Sequence, residues 1–127
     1  MDISYYSRKM QRVCSDARAM MDTWGTAVAR KLMLRLTEME AAVSLDDLRR
    51  LPQTCCKLLQ PDRGRLSVFL TDPRRLIFDV DHDPLPTRAG GSLDWALVTR
   101  VRVLEVASST EVINHGGKGD VEQAIRT

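Results

Sequence analysis

Arg63, Arg65, Arg74 and Arg75 sit close together in PDRGRLSVFLTDPRRLIF, residues 61–78. A guanidinium is a planar fork of donors that grips two phosphate oxygens at once, which lysine cannot copy. Aimed at a phosphodiester, such groups either hold a nucleic-acid backbone or stabilise charge that develops during its cleavage. The runs LSVFL and RLIF have the composition and length of strands, and TDPR between them is a turn sequence. If Leu66, Val68 and Leu70 face a core, Arg65 shares the other face with Ser67 and Phe69. If Leu76, Phe78 and Val80 point the same way, Arg75 joins Ile77 and Asp79 outside. Further along, Arg100 and Arg102 share one face of a last strand while Val101 and Val103 share the other, and Lys57 lies on the first strand. The expectation is a concave basic surface of Arg65, Arg75, Arg100 and Arg102, with Lys57 nearby, able to hold a phosphate backbone. Any half-exposed strand needs polar residues on its wet face, but acidic ones would serve equally well, and here the outward set is mostly basic.

Other chemistries are poorly served. Asp81-His82-Asp83 has ligand-type residues, but neighbours on an extended chain point to opposite sides, and no second His or Cys cluster supplies the spacing of a metal site. No metal and no cofactor is expected. There is no G-x-S-x-G, and the glycines of HGGKG do not stand in a phosphate-loop frame between a strand and a helix. Cys14, Cys55 and Cys56 are odd in number and read as reduced thiols, at least one of them packed in the core.

These groups must be positioned by one domain: 127 residues, 43% apolar and 28% charged, suit a single globular core. Residues 1–78 carry 14 Lys/Arg against 9 Asp/Glu, and residues 79–127 carry 5 against 8, so the positive charge lies in the first part of the chain. MDISYYSRKM lacks the apolar centre of a signal peptide and no apolar run is long enough to span a membrane, so a cytoplasmic protein without membrane association is expected. Helical periodicity runs from about Ser4 to Met21 through Met10, Val13, Cys14 and Ala17. Gly25 breaks it, and a second helix follows from about Thr26 to Ala42, its polar face carrying Arg30, Lys31 and Arg35. Ser44 caps a short helix that Pro52 ends. Strands are expected at Cys55–Leu59, Leu66–Leu70, Arg75–Val80 and Val98–Val106, with a long polar loop from Asp81 to Trp95. The fold class is therefore α+β: an N-terminal helical hairpin packed on a small twisted antiparallel sheet. Residues 1–113 form the domain and residues 114–127 a mobile or weakly helical tail.

The run from Lys31 through Phe78, KLMLRLTEMEAAVSLDDLRRLPQTCCKLLQPDRGRLSVFLTDPRRLIF, resembles the RelE/ParE toxin superfamily, in particular its HigB-like "plasmid maintenance killer" branch. The basic second helix, the SLDDL helix ending in LP, the D-R-x-G turn, the S-V-x-L strand and the arginine-led R-L-I-F strand come in that branch's order, and DHDPLP, GGSLDW and VTRVRVLEV extend the likeness to about residue 106. The resemblance implies the toxin of a type II toxin–antitoxin pair, a metal-independent endoribonuclease that cuts mRNA on the ribosome and is silenced in a hetero-oligomer with a helix-turn-helix antitoxin. It implies catalytic roles for Arg75, Lys57 and Arg65. Lys57 stands where many members have histidine, and His115 is the nearest residue to their terminal histidine. On that resemblance Arg63, Arg74, Arg100 and Arg102 become the RNA contacts, and Arg30, Lys31 and Arg35 the antitoxin contacts. Two alternatives keep the scaffold: a catalytically degenerate homologue that acts by binding its antitoxin, and a ParE-like poison of DNA gyrase.

Overall fold

The structure, a computed structural model, describes residues 1–108. His115 and the tail expected at 114–127 lie outside the described residues. Strand β1 (Asp2–Tyr5) precedes four helices, α1 (Arg8–Cys14), α2 (Ala17–Trp24), α3 (Thr26–Ala41) and α4 (Leu45–Arg49). Strands β2 (Lys57–Gln60), β3 (Arg65–Thr71), β4 (Arg74–Val80) and β5 (Arg100–Ser108) follow. They form one five-stranded sheet in the order β1-β5-β4-β3-β2. Neighbours from β2 to β5 are antiparallel, but β1 lies parallel to β5, so the sheet is mixed rather than antiparallel throughout. A tight turn cannot join parallel neighbours, and here all four helices and three strands separate them in sequence.

The single helix expected from Ser4 to Met21 is three elements. Ser7 caps α1 by accepting from the Met10 N–H, and Asp16 caps α2 by accepting from Arg18 and Ala19. Two N-caps so close together break one stripe into two short helices. β1 puts only Ile3 and Tyr5 against the core, too few points for a period of two to show. α3 keeps nearly its expected span, and Ser44 caps α4 as expected by accepting from Asp47, with Asp46 and Asp47 in its first turn.

The core forms where Leu66, Val68, Leu70, Leu76, Phe78, Val80, Val101 and Val103 on one sheet face meet Leu32, Met39, Leu45 and Leu48 from the helices. Each such side chain contributes about 1.5–3 kcal/mol by leaving water. The Asp81–Trp95 segment is more ordered than a plain loop. Thr87 bridges Leu93, Arg88 and Ser92 are joined through the backbone, and the Asp94 N–H donates to the Pro86 carbonyl. Leu85, Leu93 and Trp95 pack on the core, three apolar anchors hidden among polar neighbours. Gly64 has φ +64°, and a Cβ there would stand 2.9 Å from Leu85 Cδ2 and 3.2 Å from Val80 Cβ, so this turn requires glycine for both conformation and space. Among the described residues no helix is long and apolar enough to cross a membrane.

Candidate functional site

The pleat places Arg65, Ser67, Arg75, Ile77 and Asp79 on the sheet face away from the helices, as the alternation of β3 and β4 requires. The face is not the open basic surface expected. Its centre is a small apolar cluster of Ile77 and Ala107 flanked by Leu59 and Leu104, and the arginines nearest that centre are engaged with the protein.

Arg75 is only 6% exposed. Its Nε donates to Ser67 Oγ at 2.8 Å, and one Nη donates to the Cys55 carbonyl at 2.5 Å. The other Nη has no partner among the described residues. The expected placement of Arg75 on an open outer face is therefore corrected, because the fold itself buries the side chain. Burial pulls the guanidinium below its ordinary pKa, opposed by the Cys55 and Cys56 thiols, yet arginine stays charged at any physiological pH. Cys55, just after a 3-10 turn at Pro52–Thr54, takes a left-handed conformation (φ 42°), a strained state for a residue with a side chain. Both partners of Arg75 are neutral, so its charge is held in place without being cancelled.

Lys57 is exposed, and the β2–β3 register sets it directly across from Ser67, which Arg75 grips. Lys57, Ser67 and Arg75 thus share one patch. Arg65 lies on the same face but behaves differently. Its Nε and Nη2 meet the two carboxylate oxygens of Asp79 at 2.8 and 3.1 Å, with both side chains about one-eighth exposed. It is the cationic half of a bidentate ion pair. Arg100 and Arg102 are exposed on β5, with Arg100 Nε donating to the Asp81 carbonyl at 3.3 Å. Arg63 is exposed in the turn at Pro61–Arg63. Arg74 is half-buried, and its Nε is buried without a hydrogen-bond partner. The exposed cations form a rim around a closed centre.

Of the three α3 residues, Arg30 and Lys31 are exposed but Arg35 is 2% exposed. Its Nε donates to the Phe69 carbonyl at 2.7 Å, one Nη to Glu38 at 2.8 Å and the other to the Gln53 carbonyl at 2.9 Å. Arg35 ties α3 to β3 and to the turn before β2, which removes it from any exposed face. The spacing Val28, Leu32, Arg35, Met39 is one helical stripe, a signal that placed it inward. His82 stitches the start of β5, its Nε2 accepting from the Thr99 and Arg100 N–H groups at 3.0 and 3.2 Å. It is also the only imidazole among the described residues, and it sits by the start of β5, whereas Arg75 pairs with Ala107 near the end of that strand.

The thiols divide by burial. Cys14 is pushed up to about 11 by burial, and Cys56 to about 12 by burial against the opposing pull of Arg75 and Arg49, while Cys55 is exposed. Sequence reasoning missed the polar holders: the Ser67 hydroxyl, the Cys55 carbonyl and the Asp79 carboxylate. Ser67 and Asp79 carried a signal, because each stands on the outward face of a strand beside an arginine. The carbonyl carried none. Chemically, the patch offers fixed positive charge and a mobile ammonium. The chain matches none of the protein-family models, curated proteins or solved structures with which it was compared.

Proposed function

We propose that the protein is a RelE/HigB-like toxin of a type II toxin–antitoxin pair, an endoribonuclease acting on translated mRNA and held inactive by a helix-turn-helix antitoxin. The observation that carries this reading is the buried Arg75 guanidinium, pinned by two neutral partners with one Nη left for a ligand, beside the exposed ammonium of Lys57. In such a reaction the RNA 2′-oxygen attacks the adjacent phosphorus, the 5′-oxygen leaves, and negative charge builds on the non-bridging oxygens. A guanidinium that cannot reorient meets that charge without reorganisation, which is where electrostatic catalysis gains most. Lys57 neutralises the phosphate or moves a proton at the 2′-oxygen or the 5′-oxygen. Exposed Arg63, Arg100 and Arg102 hold the strand on either side through its phosphates. Arg30 and Lys31, exposed on α3, are the antitoxin contacts.

A second reading, the degenerate homologue, is favoured by one observation: Arg65 is neutralised by Asp79, and among the described residues the patch contains no imidazole. Induced expression followed by mapping of mRNA ends decides. New 5′ ends within coding sequences, lost in Arg75→Ala, are expected. Growth arrest with intact mRNA and broken DNA would move the protein to gyrase, and no arrest at all would leave antitoxin binding as its role.

A further inference from the structure

Where α4 meets the segment around Trp95, a cleft of about 210 Å³ is lined by Asp46, Arg49, Arg50, Arg88, Asp94 and Trp95. One carboxylate orders two arginines there. Asp46 Oδ1 takes Arg49 through Nε and Nη2, both at 2.7 Å, and Oδ2 takes Arg50 at 3.0 and 2.9 Å. Both arginines hold the Asp46 carboxyl below the usual carboxylate range. The Arg49 guanidinium also lies over the Trp95 ring, 4.5 Å from its centroid, so it is fixed at an edge and on one face while its side chain stays 44% exposed. Arg88 also lines the cleft and makes no ion pair among the described residues. Three guanidinium groups against two carboxylates leave the lining net positive. A surface ion-pair network would explain Asp46 with Arg49 and Arg50 alone. It does not explain a tryptophan ring against one guanidinium, nor a further arginine without an ion pair in the same lining.

We propose that this cleft is a subsite for one nucleotide of a single-stranded RNA, its base laid on the Arg49 guanidinium above Trp95 and its phosphate held by Arg88 and Arg50. Bases stack on arginine planes as they do on aromatic rings, and a stacked base needs no sequence readout. Position supports continuity with the Arg75 patch: Arg49 ends α4, and the turn at Pro52–Thr54 leads directly to Cys55, whose carbonyl Arg75 holds. The subsite rests on the RNA reading above and adds to it a second point of contact along the strand.

The test uses the full chain with a fluorescein-labelled, unstructured single-stranded oligoribonucleotide, read by anisotropy across a salt series. Arg50 and Arg88 are exposed, so Arg50→Ala/Arg88→Ala folds. It is expected to weaken binding on the order of tenfold at low salt and to flatten the slope of log affinity against log salt by about 1.4, roughly 0.7 per lost contact. In a Trp24→Phe background, Trp95 is the one remaining tryptophan, and RNA is expected to quench it. If the parent chain binds and cleaves RNA while the double variant keeps its affinity and slope, the subsite is wrong and the function stands. If the parent chain binds no RNA, the function falls and the subsite with it. Equal competition by polyglutamate of matched charge would reassign the cleft to an acidic protein segment and overturn the nucleotide.

Discussion

Arg75→Ala asks two things of the protein at once, and the structure gives each a size. Truncation strands the Ser67 hydroxyl, which is fully buried, at about 1–3 kcal/mol for a polar group left without a partner. The Cys55 carbonyl is part-buried and can recruit water, so its share is smaller, about 0.5–1 kcal/mol. The buried stem of the side chain adds about 1–2 kcal/mol of lost packing. Against these stands the relief of a cation that burial disfavours, the same effect that lowers its pKa. A net loss of about 2–3 kcal/mol is expected, visible as an earlier urea midpoint at constant m-value. Cleavage should fall further than stability explains, on the order of 10²–10³ in rate, when measured under single turnover where the variant is still folded. Arg75→Lys keeps a charge but cannot reach both holders, so it should recover part of the stability and little of the rate. Ser67→Ala keeps the guanidinium and loosens one anchor, and should lose about tenfold in rate if orientation matters. A folded Arg75→Ala protein that cleaves within about threefold of the parent would refute the charge-stabilisation argument. An unchanged urea midpoint would refute the pinning.

Other expectations follow from the same contacts. Arg35→Leu should cost on the order of 3 kcal/mol, because the Phe69 and Gln53 carbonyls and Glu38 lose their donor together; a urea shift worth less than about 1 kcal/mol would reject the brace. His82→Phe removes the acceptor for two N–H groups at the start of β5, so amide exchange should accelerate at Thr99 and Arg100 and stability should drop about 1 kcal/mol. With iodoacetamide at neutral pH, Cys55 should react first by mass spectrometry, while Cys14 and Cys56 wait for unfolding. Their raised pKa values also fix an alkaline limb. Below about 9, the ordinary value, both thiols are protonated in the folded and unfolded chain and stability is flat. Above it the unfolded chain ionises first, so stability falls until the pH passes about 11 for Cys14 and about 12 for Cys56. Cys56→Ala should flatten that fall, as followed by urea midpoints from neutral to alkaline pH.

How much of this was legible follows from what each signal depends on. α3, α4 and the β3–β4 hairpin were readable because Ser44, Gly25, TDPR and the apolar spacing act locally, within a turn or two. β1 was not, since a four-residue strand is defined by its partner β5, almost the whole described chain away. The order in the Asp81–Trp95 segment escaped for a similar reason: Leu85 and Leu93 matter through the core they meet and look isolated along the chain. The outward facing of Arg65 and Arg75 was also readable, from the pleat alone. Their burial was not, because alternation says which side a residue takes and nothing about what else lies close to it.

The two arginines show where charge counting stops being enough. They share a residue type, a sheet face and a largely buried setting, yet only Arg75 keeps a usable field. Arg65 meets a carboxylate with matched bidentate geometry, so at the distance of a substrate phosphate its charge and that of Asp79 largely cancel. Arg75 meets a hydroxyl and a peptide carbonyl, which orient its fork by dipoles and leave a full positive charge, in surroundings where poor solvation makes that charge act strongly on whatever anion approaches. An arginine whose partners are neutral is costly to bury, because no counter-charge offsets the solvation it loses. Arg75, near the start of β4, keeps that uncancelled charge beside the exposed Lys57, and on the reading proposed above a phosphate brings the missing negative charge.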